Sequence, residues 1–311
     1  MRWRGGSLIL AMVTLAGAPA VSRAQGGAPL APQREINILE HLGNSHRIEL
    51  PYWKPPYSYP LELPRFAPVH LGGLTLDFSI TKHLVFMILA ATIAALALSY
   101  TAYAVARAQA AGRPPRGFAA AMEAIVLYVR QEVILPNVGP HGEGYVNYLL
   151  TVFFFLLACN LFGLLPWGAT ATSNIAVTGA MALLSLCVIE ISGMRALGLR
   201  GYLGTIFYLP PGLPTWIRPV MLVIMTPIEI IGKLAKPFAL AVRLFANMTA
   251  GHVVLLALIG LTFVFQSYLV GIGASFLATG VMLLELFVAF LHAYIFTLLT
   301  SVFIGLMRAE H

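Results

Sequence analysis

Arg243 stands in a stretch, 239–246, whose other members are all apolar, and Asn247 follows it by four residues. On a helix that spacing puts the amide one turn along on the same face, where it can both donate and accept hydrogen bonds. Further on come His252, Glu285 and His292, and before Arg243 stand Glu229, Lys233 and Lys236. A guanidinium stays protonated in practice, so Arg243 offers a fixed positive charge rather than a transferable proton. Carboxyl and imidazole groups exchange protons, the imidazole near neutral pH. The set therefore suits charge stabilisation and proton transfer.

Pairing within the set is constrained by helix geometry. Glu229 precedes Arg243 by fourteen residues, about 40° from a whole number of turns but about 21 Å away along the axis, so the two do not form an ion pair. His252 is nine residues from Arg243, half a turn out of phase. Glu285 and His292 are seven apart and share a face. If His252 turns toward that face, the three form a chain able to pass protons. A metal centre is disfavoured, because the spacing matches no zinc pattern and Arg243 would repel a cation. No phosphate-binding glycine loop, nucleophile elbow or paired catalytic carboxylate is present, so neither an enzyme nor a cofactor is expected. Lys233 and Lys236 are expected to snorkel to an interface.

What must position these groups follows from composition. Of 311 residues, 59% are hydrophobic and 10% charged, against roughly 25% charged in soluble domains. The apolar residues lie in blocks long enough to cross about 30 Å of hydrocarbon. Spans are expected at 83–106, 145–165 and 174–191, with a one-sided interfacial helix at 118–135 carrying Met122, Ile125, Val126, Val129 and Val133 inward. Trp167 fits an interfacial anchor, and 201–218, with its prolines and glycines, is expected to be a loop with at most a short helix. The last two blocks, 219–265 and 273–307, are too long for upright spans, so they are expected to form a strongly tilted hairpin turning at 266–273, with Pro227 and Pro237 as bend points. The fold class is thus an all-α integral membrane protein of about five membrane-embedded helices plus one interfacial amphipathic helix.

Residues 1–24 have the basic, apolar and small-residue order of a signal peptide. Residues 25–82 form a proline-rich external arm with a short helix expected at 36–42, and 83–311 form the membrane domain. Arg107, Arg113, Arg116, Arg130, Arg195, Arg200, Arg218 and Arg308 fall on one side if the spans alternate. The positive-inside rule makes that side cytoplasmic, with the N-terminus outside and the C-terminus inside. The net charge of +7 is thereby assigned to topology rather than to nucleic acid. Cys159 and Cys187 lie in apolar runs and are read as inert. No internal repeat supports the rival reading of a secondary transporter.

The run KPFALAVRLFANMTAGH at 236–252 closely resembles the signature of subunit a of F-type ATP synthases, and AYIFTLLT at 293–300 is similar to that family's last helix. The resemblance covers roughly 71–311 and includes Leu164, Leu165 and Pro166. It implies that Arg243 faces a rotor ring of c subunits and separates two offset aqueous half-channels. Asn247, His252, Glu285 and His292, with Asn174, would line the external one, and Glu229 would belong to the cytoplasmic one. Many family members carry Glu at the His252 position, His at the Glu285 position and often Gln at the His292 position. Implied partners are the c-ring, peripheral-stalk b subunits, protons and lipid; the implied location is a bacterial inner membrane.

Overall fold

The computed structural model describes residues 45–309 apart from 52–57, 67–68, 72–73, 77–78, 141, 166–169, 208, 210–211 and 213. The signal peptide, the short helix expected at 36–42 and Trp167 lie outside the described residues. In the arm, β1 (Arg47–Pro51) pairs antiparallel with β2 (Ser58–Glu62), and β3 (Val69–Leu71) with β4 (Leu74–Leu76). The prolines exclude helix but are tolerated in two-stranded ribbons, whose strands each keep a free edge. Pro60 pairs with Glu49, and Pro51 with Ser58, at such positions. The first ribbon is tied to the bundle. Lys82 N–H donates to Ser45 O at 3.0 Å, and Ile48 is buried with Phe86 against Leu63, Val85 and Phe162.

The helices follow the apolar blocks. They are α1 (Lys82–Ala110), α2 (Phe118–Tyr128), α3 (Leu135–Val138), α4 (Val146–Gly163), α5 (Ile175–Ile206), α6 (Arg218–Phe265) and α7 (Tyr268–Ala309). Five of the helical segments are long and apolar enough to cross a membrane, which makes this an all-α integral membrane protein. A π-helical turn at Val129–Ile134 joins α2 to α3. Pro136 just beyond it lacks the N–H that the Glu132 carbonyl would need for a regular turn. Val129, Val133 and Val138 are buried along this piece while Arg130, Gln131 and Glu132 face out, the one-sided stripe its spacing requires.

The core centres on α4, buried on nearly all sides through Leu149, Val152, Phe153, Phe154, Leu156 and Leu157, as expected of a helix apolar all round. Helices α1 and α7 pack on it, and α6 packs against α5 and α7. Outward positions such as Ile88, Leu96, Leu183, Val223, Ile231, Phe276 and Leu283 are exposed, a surface suited to hydrocarbon rather than water. At one end of the bundle His83 Nδ1 lies 3.2 Å from Thr170 O. At the other, Arg308 donates to Pro140 O at 3.0 Å and lies over the Tyr145 ring. Arg107 lies in the last turn of α1 and Arg218 opens α6, while Arg195 and Arg200 flank the Gly198 interruption within α5.

Helix α6 keeps the expected block almost to the residue, running through Pro227 and Pro237 for 48 residues, about 72 Å. Two boundaries differ from expectation. The turn to α7 occupies only Gln266 and Ser267 rather than 266–273, and Gln266 takes a left-handed conformation (φ 45°) at the end of α6. The third span continues past 191 to Ile206, so residues 201–206, at the start of the expected loop, are helical. What makes this possible is Gly198, whose φ of 68° and ψ of 170° interrupt the helix and redirect its last piece. That backbone region is essentially restricted to glycine, with a penalty of order 1–3 kcal/mol for other residues. Gly198→Ala is accordingly expected to lower the protein's thermal stability or the amount of folded chain in the membrane, which a melting curve or a quantitative blot reads. Unchanged values would mean the bend is not required.

Candidate functional site

Helix α6 turns Leu240, Ala241, Leu244 and Met248 inward, all buried. This one-face spacing forces Ala239, Val242, Arg243, Ala246 and Ala250 outward, and they are exposed. Arg243 therefore lies on the outer face among small and apolar side chains, with no hydrogen bond or ion pair among the described residues. Three alanines around it let a neighbouring helix approach closely.

One turn along, Asn247 Nδ2 lies 2.8 Å from His292 Nε2 on α7. His292 is buried, and its Nδ1 is 2.7 Å from Val288 O. A carbonyl can only accept, so Nδ1 carries the ring proton and Nε2 of the neutral ring accepts from the Asn247 amide. Adding a proton at Nε2 turns that acceptor into a donor. The pair then persists only if Asn247 rotates its amide to present oxygen. Proton uptake at His292 is thus tied to a 180° amide turn one helical turn from Arg243.

Glu285, half-buried on α7, places its carboxylate against Gly251 of α6. A Cβ at position 251 would stand 2.8 Å from Glu285 Cδ and overlap Oε1. Oε1 is buried and has no partner among the described residues, leaving an acceptor aimed into the α6–α7 seam. His252, the next residue on α6, is half-buried and lies half a turn from Arg243. The hairpin thus gathers Asn247, His292, Glu285 and the Gly251–His252 step.

The remaining expected residues are placed differently. Asn174 Oδ1 accepts from Ala176 N–H at 2.9 Å as the N-cap of α5, an ordinary capping role that occupies its acceptor. Glu229 is half-buried on α6 and makes no ion pair among the described residues. Lys233 does not snorkel. Its Nζ is 3.7 Å from Glu190 Oε2 and 3.1 Å from Thr205 Oγ1, and lies over the Tyr202 ring, whose hydroxyl donates to Glu190. Lys236 lies over the Phe303 ring of α7.

Two polar positions escaped the sequence reading. Glu190 is one. Asn160 is the other: fully buried on α4, it donates to Ala289 O at 3.2 Å and accepts from Thr172 Oγ1 at 2.9 Å, fastening α7 to α4. An asparagine inside an apolar span is itself a signal of such a bond, because an unsatisfied amide there is expensive.

The Asn247–His292 bond makes a direct prediction. Removing Asn247 leaves the buried His292 Nε2 unsatisfied, a loss of about 1–3 kcal/mol, and removing His292 takes away the partner of the exposed Asn247 amide. Asn247→Leu and His292→Leu should each slow proton transfer through the pair, read as proton flux into vesicles, about tenfold, and the double variant should be little worse than either single one. Losses that multiply would show that the two act separately.

Comparison with known proteins supplies the family. The model for the family described as ATP synthase A chain matches residues 84–305. ATP synthase subunit a 2 of Chlorobaculum tepidum is 45% identical over 249 residues, covering 79% of this chain and 68% of that protein. ATP synthase subunit a of Pelodictyon phaeoclathratiforme is 45% identical over 251 residues, 80% of this chain and 70% of that one. The Myxococcus xanthus ATP synthase subunit a is 42% identical over 271 residues, 85% and 86% of the two chains. The match takes in all the residues gathered above, and the chain belongs to the ATP synthase A chain family, that of ATP synthase subunit a.

Proposed function

We propose that this chain is the non-catalytic, proton-conducting stator of a rotary ATP synthase, and that Arg243 faces a ring of c subunits each carrying a carboxyl group. The observation that carries this reading is the position of Arg243: a permanent cation on an outward apolar face, with no partner among the described residues. On insertion scales such a charge at the bilayer centre is unfavourable by about 2.5–3.5 kcal/mol. A mobile carboxylate passing that face supplies the missing counter-charge.

The proton path follows from the polar groups. A proton enters from outside through His252, Glu285 and the His292–Asn247 pair, with Asn174 near the mouth, and neutralises a ring carboxylate. The neutral acid can then turn into lipid, where its ionised form would be disfavoured by several kcal/mol. After nearly a full turn it reaches the cytoplasmic path at Glu229, loses the proton and pairs with Arg243. A fixed cation between the two paths also repels protons and prevents leakage. A membrane potential contributes about 2.3 kcal/mol per charge per 100 mV to that one-way transfer.

The basic end of the bundle faces the cytoplasm in this reading, in a bacterial inner membrane, and the arm lies outside. Residues 1–24 act as a signal peptide, 25–82 as the arm and 83–311 as the membrane domain, with b subunits of the peripheral stalk as further neighbours. The test is vesicle acidification by the purified complex. Complexes assembled without this chain should hydrolyse ATP and move no protons, and pumping in its absence would refute the proposal.

A further inference from the structure

The mechanism leaves one half-buried charged cluster unused. Glu190 and Lys233 have side chains only 18% and 13% exposed and form an ion pair at 3.7 Å. Twelve residues separate Glu190 from Tyr202, about 18 Å along a straight helix. Yet the Tyr202 hydroxyl donates to Glu190, so the bend at Gly198 folds the end of α5 back over this pair. Thr205 from the same folded piece accepts from Lys233. Three segments converge on one ammonium.

Lys233 has a second carboxylate within reach. Glu229 lies one turn before it on α6, the Glu-to-Lys i,i+4 order that pairs best on a helix. Glu229 is half-buried and without an ion pair among the described residues, because the ammonium is turned toward Glu190. Two carboxylates thus compete for one cation, and the cation stands between Arg243 and Glu229 along the helix. The titratable groups on the two packed elements here are Glu190 and Tyr202 of α5 and Glu229 and Lys233 of α6. Lys236 is turned away onto Phe303 of α7.

We propose that Lys233 is a positioning residue of the cytoplasmic proton exit, a counter-ion shared between Glu190 and Glu229 that decides when Glu229 can hold a proton. While Glu229 is neutral, Lys233 rests on Glu190, Thr205 and the Tyr202 ring, the arrangement seen here. When Glu229 gives its proton to the cytoplasm, the ammonium swings one turn along α6 to the new negative charge. Glu190 keeps the Tyr202 hydroxyl meanwhile. The Glu229 O–H bond breaks and its proton passes to cytoplasmic water; no other covalent bond changes, and the ammonium follows the new charge. The inference rests on the assignment of Glu229 to the cytoplasmic path.

The test uses inverted membrane vesicles carrying the complete complex, in which the bath sets the pH on the cytoplasmic side, where ATP-driven pumping takes protons up through the same path in reverse. Lys233→Gln removes the shared cation, so the alkaline limit of pumping should move up by about one pH unit. Glu190→Gln leaves the ammonium to Glu229 alone and should move that limit down by a similar amount. Lys233→Arg, which keeps the charge, should restore the original profile. ATP hydrolysis and recovery of the ring with each variant confirm assembly; if Lys233→Gln fails to assemble, Glu190→Gln against Lys233→Arg still reads the downward shift. Equal losses of rate with an unmoved profile would overturn the proposal and leave a purely structural clasp. A profile insensitive to Glu229→Gln as well would instead overturn the assignment of Glu229, so the two ideas fail separately.

Discussion

Arg243→Ala is expected to abolish both ATP synthesis and ATP-driven proton pumping while ATP hydrolysis by the complex continues. Arg243 is exposed on α6 and makes no hydrogen bond or ion pair among the described residues, so its loss should not unfold the bundle, and removing a charge from an apolar face should if anything favour insertion. What disappears is the counter-charge for a passing carboxylate. An interaction of about 3 kcal/mol corresponds to roughly a hundredfold in rate. Coupled turnover should therefore fall below about 1% of the original. Arg243→Lys keeps the charge but not the planar fork, so it should recover only part of the loss. Normal coupling in the alanine variant, measured by vesicle acidification, would refute the role assigned to this residue.

The second large effect is expected at Gly251. A side chain there would overlap the Glu285 carboxylate, which is the flexible far end of its chain and can move aside, so Gly251→Val should leave assembly and stability nearly unchanged. Proton conduction should suffer instead, because the carboxylate would leave its place in the α6–α7 seam against Gly251. Proton transfer needs donor and acceptor within hydrogen-bond reach, and a displacement of about 1 Å can lower a rate about a hundredfold. Adding Glu285→Asp, shorter by one methylene, should return part of the rate. If Gly251→Val pumps normally, or if Glu285→Asp deepens the defect, the carboxylate has no positional role in conduction.

The spans were legible because run length and the absence of charge report directly on a hydrocarbon solvent. The stripe at Met122, Ile125, Val126, Val129 and Val133 reappears as the inner face of α2 and the π-helical turn. The exceptional residues Arg243, Asn247, Glu285 and His292 were legible because polar groups inside apolar blocks stand out. What stayed hidden depends on contacts between distant segments. Nothing local announces that Gly198 turns α5 back on itself, since an isolated glycine in a helical pattern is often tolerated. Without that bend Lys233 has no visible partner, and snorkelling was the natural expectation. Likewise the arm's prolines excluded helix but gave no sign of the β1–β2 register, and Asn174 reads equally well as a pore residue or as the helix cap that the structure makes of it.

The most direct measurement is cysteine cross-linking in the assembled complex. The chain would carry Cys159 and Cys187 replaced and a single cysteine placed beside Arg243 at Ala239, Ala246 or Ala250, and the rotor subunit a single cysteine introduced beside its carboxyl residue. Leu96, 64% exposed on α1, serves as the control position. Disulfides to the rotor subunit from the three α6 positions and none from position 96 are the predicted result. No rotor cross-link from any of the three, or equal cross-linking from position 96, would contradict the claim that a fixed cation on this face meets a moving acid.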